Sequence, residues 1–346
     1  MSSETPLLKV DAVQRFFDVS KPWLNRVLAN EPKLLLKAVD DISFSIRKGE
    51  TFSLVGESGC GKSTVARLIV GLYPTSSGSI EFEGTDFSTL SKRNQMAPLR
   101  RRMTMIFQDP YTSLNPRWRV RDIIAEPIRA FGLTNTGGIS GSRLQIFNRV
   151  AELLEQVGLS AADGDKYPHE FSGGQCQRIS IARALASEPD FIVCDEPTSA
   201  LDVSVQAQIL NLMKNLQREL ELTYLFISHD LAVVYHVSDN IGVMYLGRLC
   251  EIADKETLFT NPRHPYTRML FNAIPDINMS GKERIPVSGE VPNPIEPPSG
   301  CTFHPRCPIA NERCKRERPE LQIVDSHSQV ACHAIEEKRN MEVHFI

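Results

Sequence analysis

Two tryptophans in 346 residues, and no apolar run near the length of a membrane-crossing helix, are the first scarcities of this sequence. Such a helix needs about 20 apolar residues, whereas the most apolar segments, such as Val65–Leu72, are short and contain Arg67. Any membrane contact is therefore expected to come through a partner. Met1–Asp11 carries Glu4 and Asp11 and lacks a basic-then-apolar leader, so the N-terminus reads as unprocessed and cytosolic. An excess of charge is missing too: 39 Lys and Arg stand against 42 Asp and Glu, a formal charge of −3. That balance gives no general electrostatic reason to bind nucleic acid or an anionic membrane. Internal repeats and sustained heptads are absent, which excludes solenoids and long coiled coils. What is present is ordinary for a globular chain, with 41% hydrophobic and 23% charged residues. At about 150 residues per domain, the length suggests two domains or one large domain with an extension.

Short β-rich apolar runs alternate with helical patterns from about Leu34 to Cys250, predicting a parallel or mixed sheet flanked by helices. Strands are expected at Thr51–Val55, Phe191–Cys194 and Tyr224–Ser228, and helices at Lys62–Leu72, Arg143–Val157, Gly174–Ser187 and Val205–Leu220. Tyr111–Glu170 reads as a mostly helical insertion between two core strands, interrupted by a loop at Thr134–Ser142. Between Ile285 and Ser299 five prolines (Pro286, Pro292, Pro294, Pro297, Pro298) forbid regular structure and mark a boundary. The cysteine-bearing region beyond it has too few apolar residues for a large core of its own.

The segment Gly56-Glu57-Ser58-Gly59-Cys60-Gly61-Lys62-Ser63 matches G-x-x-x-x-G-K-[ST], after one expected strand and before an expected helix. Glycines there let backbone N–H groups curl around phosphate oxygens, and the helix N-terminus adds favourable partial charge. Lys62 would reach the β- and γ-phosphates and Ser63 would ligate Mg²⁺. Further on, Phe191-Ile192-Val193-Cys194 runs straight into Asp195-Glu196. A buried strand ending in two carboxylates can offer Asp195 to the metal and Glu196 to an attacking water as general base.

Phe171-Ser172-Gly173-Gly174-Gln175 resembles the signature motif of ABC-transporter ATPases. Its neighbours follow in the family's order: Gln108 in Ile106-Phe107-Gln108-Asp109-Pro110 as the Q-loop glutamine, Ser199-Ala200-Leu201-Asp202 as the D-loop, and His229 as the switch histidine. Phe16 lies where the family places an aromatic that stacks on adenine. Tyr167-Pro168-His169-Glu170, Ser113-Leu114-Asn115-Pro116, Met244-Tyr245-Leu246-Gly247 and Asn261-Pro262-Arg263-His264-Pro265-Tyr266-Thr267 resemble one branch, the dipeptide and oligopeptide importer ATPases. Cys176 within Gly174-Gln175-Cys176-Gln177-Arg178 leans toward their F-type subunit.

The resemblance implies an α/β fold: a P-loop NTPase core with a mixed or parallel sheet, a helical subdomain insertion and a small cysteine-bearing C-terminal extension. It divides the chain into a nucleotide-binding domain over 1–262, with the helical subdomain at about 111–170, and an extension over 263–346. ATP would be held by Gly56, Glu57, Ser58, Gly59, Cys60, Gly61, Lys62, Ser63, Thr64, Phe16 and Asp202. From a facing subunit, Ser172, Gly173, Gly174 and Gln175 would close on the same nucleotide. Mg²⁺ would meet Ser63, Gln108 and Asp195, and Glu196, His229 and Gln108 would carry catalysis. Implied partners are a second ATPase subunit, generally a different D-type chain, two integral-membrane permeases and an extracytoplasmic peptide-binding protein, with no nucleic acid. The implied place is peripheral, on the cytoplasmic side of the inner membrane. Same-branch importers of nickel, glutathione or sugars, and a soluble non-transport ABC ATPase, stand as alternatives. Arg178 sits in family position, with contact and plain helix surface both open.

Eight cysteines fall into two groups. Cys60, Cys176, Cys194 and Cys250 are scattered and read as packing residues. Cys301, Cys307, Cys314 and Cys332 cluster in a spacing that lacks the short C-x(2–4)-C pair usual for structural zinc. Four thiolates with a Cys307-Pro308 step suit an iron–sulfur centre better, although the spacing matches neither ferredoxin pattern. Similar tails in the importer branch are associated with a four-iron, four-sulfur (4Fe–4S) cluster. Zinc with His304 or His333, free thiols and an oxidised pair remain the alternatives.

Overall fold

A computed structural model describes residues 5–23, 25–26, 30, 32–87, 93–133, 143–272 and 289–339. The loop expected at 134–142 and the start of the proline-rich segment, 285–288, lie outside the described residues. Contacts divide the chain into two compact units, one of residues 1–46, 52–89 and 229–346 and the other of residues 47–51 and 90–228.

In the first unit an antiparallel sheet has the strand order Leu35–Ile46, Leu8–Asp18, Ser77–Phe82, Thr85–Asp86. Its pairing sets Leu8 against both Ile46 and Phe82 and Val10 against Phe44 and Ile80. All but Phe44, which is nearly so, are almost fully enclosed, so one face of the sheet is core, as period-two alternation requires. The expected strand Thr51–Val55 is observed with those bounds, all five residues buried. It pairs parallel with Asn240–Tyr245, which pairs antiparallel with Arg248–Asp254. The cysteine-bearing region then adds Ser328–Val330 antiparallel to Arg248–Asp254, with Gln322–Ile323 beyond it. Phe303, 1% exposed, packs into the core formed by Val55, Val243, Tyr245, Tyr266 and Met269. The region thus docks an anchor into the preceding core instead of building a large one, which is how so few apolar residues suffice.

The second unit carries the strands Met103–Ile106, Phe191–Asp195 and Thr223–Ile227, all parallel and in that order. The last two are buried at every position, the continuous apolar pattern of a sheet covered on both faces. Helices fill the interval expected to hold them, at Pro110–Ser113, Val120–Phe131 and Arg143–Gln156. Two further helices, Gly173–Leu185 and Val203–Leu220, begin within two residues of the expected starts. Parallel and antiparallel pairs both occur, so the fold is the α/β mixed sheet expected.

Candidate functional site

In the first unit the buried strand Thr51–Val55 ends at Gly56, and the chain turns through Gly61 into the helix Lys62–Ile69. Two glycines are dictated by neighbouring backbone. Gly56 has φ 152°, and a Cβ there would stand 2.2 Å from the carbonyl oxygen of Met244. Gly61 has φ 106°, and its Cβ would stand 2.2 Å from the carbonyl oxygen of Ala38. A side chain would be excluded at either position by backbone that cannot yield. Inside the turn, the Lys62 ammonium donates to the carbonyls of Gly56 at 2.7 Å and Glu57 at 3.1 Å, and lies 3.6 Å from Cys60 Sγ. Lysine in this motif therefore also braces its own loop, with Ser63 and Thr64 following in the first turn of the helix. Cys60 is buried beside it, and burial raises its thiol pKa.

Phe16 is half-buried on the strand Leu8–Asp18, paired with Lys37, and its backbone N–H donates to Ser76 Oγ at 3.1 Å. His229 is exposed just beyond the strand Thr223–Ile227, and the next residue, Asp230, caps the helix Leu231–Val237 by accepting from the N–H of Ala232 and Val233.

The second unit brings Gln108 and Glu196 together. Met103–Ile106 and Phe191–Asp195 are parallel neighbours with Ile106 opposite Cys194, so both residues stand just past the same strand ends. Gln108 Nε2 donates to Glu196 Oε2 at 3.0 Å. Glu196 has φ 47°, a left-handed conformation unusual outside glycine. It is held by its own N–H donating to the Ile227 carbonyl at 3.0 Å and by Ser199 donating twice to the Glu196 carbonyl. Asp195, the last residue of its strand, is buried at 4% exposure. Strain at such a turn fits a residue whose side chain must point in one direction.

Ser172 is the N-cap of the helix Gly173–Leu185 in a reciprocal box. Its Oγ accepts from the Gln175 N–H at 3.4 Å, and Gln175 Oε1 accepts from the Ser172 N–H at 3.0 Å. Ser172 is exposed, so the helix N-terminus faces outward. At Gly174 the structure adds a reason the sequence did not give. A Cβ there would stand 2.4 Å from Val205 Cγ1, so this glycine is required by packing against the helix Val203–Leu220 as well as by any approach of a ligand. Asp202 caps that helix, accepting from the Val205 N–H at 3.0 Å and from Ser204 Oγ at 2.9 Å; these bonds lower its carboxyl pKa. Arg178 donates at 2.6 Å to the Val157 carbonyl, just past the end of the helix Arg143–Gln156.

Cys301, Cys307, Cys314 and Cys332 line one small pocket with His264, Phe303, His304, His333 and Arg339. Cys301 donates its N–H to the Cys314 carbonyl at 2.8 Å, and Arg339 reaches Cys314 Sγ at 3.5 Å. Burial pushes the Cys301 thiol up to about 11 and the Cys307 thiol up to about 12, and the neighbouring cysteines add to both. The expectation of a metal here is not carried by the geometry. Among the described residues no three His, Cys, Asp or Glu side chains form a group that could hold one metal ion. The zinc alternative through His333 meets a further objection, because its ring nitrogens lie 3.0 Å from the Glu317 carbonyl and 3.3 Å from Glu336 Oε2. The other four cysteines are buried, as expected of packing residues. Sequence reasoning passed over Tyr245, Tyr266 and Arg306, which touch the phosphate loop or the residues around it; only the family likeness around the first two could have drawn attention to them.

Residues 39–199 match the family described as ABC transporter, and residues 250–314 match the oligopeptide/dipeptide transporter C-terminal region. The chain is 52% identical over 331 residues to a putative oligopeptide transport ATP-binding protein, YkfD, of Bacillus subtilis, covering 95% of each chain. It is 47% identical to the oligopeptide transport ATP-binding protein AppF of the same organism, covering 96% of this chain and 98% of that one. Among solved structures, the dimeric, post-hydrolysis ATP-binding cassette MJ0796 bound to ADP and Pi superposes with a TM-score of 0.61 at 25% identity, covering 72% of this chain and 98% of that one. With 47–52% identity over nearly the whole chain and both family models matched, this chain belongs to the ATP-hydrolysing, ATP-binding subunits of ABC transporters, in the oligopeptide/dipeptide branch.

Proposed function

We propose that the chain powers an importer of dipeptides or oligopeptides, sitting peripherally on the cytoplasmic side of the membrane. It would work with a second ATPase subunit of D type, two integral-membrane permeases and an extracytoplasmic peptide-binding protein. The observation that carries this reading is the 47–52% identity, over nearly the whole chain, to ATP-binding proteins named for oligopeptide transport, joined to the match of the C-terminal region. We assign the extension to residues 263–346 and the nucleotide-binding domain to 1–262, with its helical part at 111–170.

Within this reading Gly56–Thr64 cradles the phosphates of ATP, Lys62 reaching the β- and γ-phosphates, and Phe16 stacks on adenine. Ser63, Asp195 and Gln108 would hold Mg²⁺, which supplies charge neutralisation for the transferring phosphoryl group. Glu196 takes a proton from the attacking water and His229 contacts the γ-phosphate. Ser172, Gly173, Gly174 and Gln175, offered by the facing subunit, and Asp202 complete the enclosure. The exposed, capped N-terminus of the helix Gly173–Leu185 suits an anionic ligand. ATP would favour the closed pair over the open one, and that difference in affinity drives the permeases. Reconstitution with the permeases and binding protein in vesicles tests it: ATP-dependent accumulation of labelled oligopeptide is expected, and ATP turnover without any peptide uptake would sink the substrate assignment.

For the cysteine pocket we propose a 4Fe–4S cluster held by Cys301, Cys307, Cys314 and Cys332. Its support is that all four thiols line one small pocket, together with the cysteine count and the Cys307-Pro308 step. It would tie the extension together. Iron and acid-labile sulfide in anaerobically purified protein are the expected result, and protein with neither iron nor visible absorbance would discard it.

A further inference from the structure

Glu57 places a carboxylate in a loop read here as holding a triphosphate, and the first unit contains its counter-charge. Arg306 meets it with both terminal nitrogens, Nη1 at 2.8 Å from Oε2 and Nη2 at 3.0 Å from Oε1. The arginine side chain is 3% exposed and the glutamate 21%, so solvent screens the pair poorly. Nη1 also lies 3.3 Å from the Tyr245 hydroxyl, and the guanidinium carbon sits 5.7 Å and 5.9 Å from the ring centres of Tyr245 and Phe303. Those rings pack on Tyr266, whose hydroxyl accepts the Glu57 N–H at 2.9 Å. Lys62 holds the Glu57 carbonyl. Glu57 is thus fixed at its amide, its carbonyl and both carboxylate oxygens, and the side-chain grip comes from 249 residues away.

We infer that Arg306 is a positioning residue for the phosphate loop: from between the cysteines it aims Glu57 and cancels its charge, so that the loop accepts a triphosphate. Two physical effects make it consequential. Backbone donors displaced by 1 Å can cost about a hundredfold in a positioned site. An unpaired carboxylate in the loop would also repel the anionic ligand at short range and low dielectric. The two effects predict a particular pattern, because removing the carboxylate as well should relieve the repulsion.

The inference rests on the nucleotide reading above, and equilibrium binding of MgATP to the full chain tests both. Arg306→Gln is expected to weaken affinity about tenfold, a loss of positioned contacts and charge balance. Arg306→Lys, which keeps the charge and loses the fork, should show a smaller loss, mostly in KM for ATP and not in kcat. The double variant Glu57→Gln/Arg306→Gln should bind more tightly than Arg306→Gln alone, and this coupling should appear in MgATP affinity beyond any change in thermal stability, which a merely structural arginine would not produce. Should Arg306→Gln not fold, the lysine variant carries the test. Wild-type affinity in both single variants, or a double variant no tighter than Arg306→Gln, would overturn the inference. A wild-type chain that binds no MgATP would overturn the nucleotide reading and this inference with it.

Discussion

Gln108 donates to Glu196 at 3.0 Å because two parallel strands run in register and end together. The register of Ile106 with Cys194 places a glutamine amide beside a carboxylate that the left-handed turn at Glu196 has already aimed.

That contact makes Glu196 the side chain to remove. Glu196→Gln should lower steady-state phosphate release by the assembled complex about a hundredfold or more while MgATP binding persists. Gln108→Ala should lower turnover less, since it frees the carboxylate without deleting it. Normal turnover in Glu196→Gln would take this residue out of catalysis.

Gly174→Ala puts a methyl 2.4 Å from Val205 Cγ1, and overpacking of this kind costs about 1–3 kcal/mol. Denaturant melts of the glycine variant and of Gly174→Ala/Val205→Ala check it. The second change should recover most of the loss. If it recovers none, the glycine answers to something other than this valine.

Arg178→Ala should cost about 1 kcal/mol, the worth of a hydrogen bond to the Val157 carbonyl, and leave KM for ATP unchanged. A large rise in KM with unchanged stability would give a contact role to this arginine.

His264 supplies the pH dependence. It is 1% exposed, and its Nδ1 accepts the Tyr266 N–H at 3.0 Å, which requires the neutral ring. Burial holds its pKa down at about 3, against 6.5 for a free histidine. The unfolded chain therefore takes up a proton that the folded chain refuses as pH falls below 6.5, and stability drops across the window from 6.5 toward 3. At pH 5 the loss from this residue is about 2 kcal/mol. Glu251, whose carboxylate accepts the N–H groups of Arg263 and His264, has its pKa raised by burial and works in the opposite sense. Wild type should lose more stability between pH 7 and pH 5 than His264→Gln does; equal losses would mean the histidine is not held neutral.

The phosphate loop and the twin carboxylates were legible because each is a contiguous string with a local physical reason, whereas Ser172 was drawn out by the family resemblance and its capping box is visible only in the structure. Thr51–Val55 was readable to the residue, since a buried strand bounded by a charged residue and a glycine leaves little freedom at either end. Helix ends drifted: the expected Lys62–Leu72 stops at Ile69, where Val70 already leaves helical geometry. Contacts between distant segments left no local trace. Val205 against Gly174 and Arg306 against Glu57 join segments whose separate compositions announce nothing. Phe303 was hidden for the same reason, being an apolar residue in a region with too few such residues for a large core of its own, whose host core lies in distant segments.

Phe303 and Arg306 follow the strand Thr51–Val55 by some 250 positions, and that distance matters during synthesis. Ribosomes extend a chain at roughly 5–20 residues per second, so on the order of ten seconds or more separate the emergence of Glu57 from that of its guanidinium partner. Through that interval a nascent chain carries Glu57 without its counter-ion, and the strand Thr51–Val55 lacks the later residues Val243, Tyr245, Tyr266, Met269 and Phe303 that cover it. Quality-control factors that recognise exposed apolar surface would have this interval in which to act, and the finishing of translation, not the threading of the first sheet, would close it.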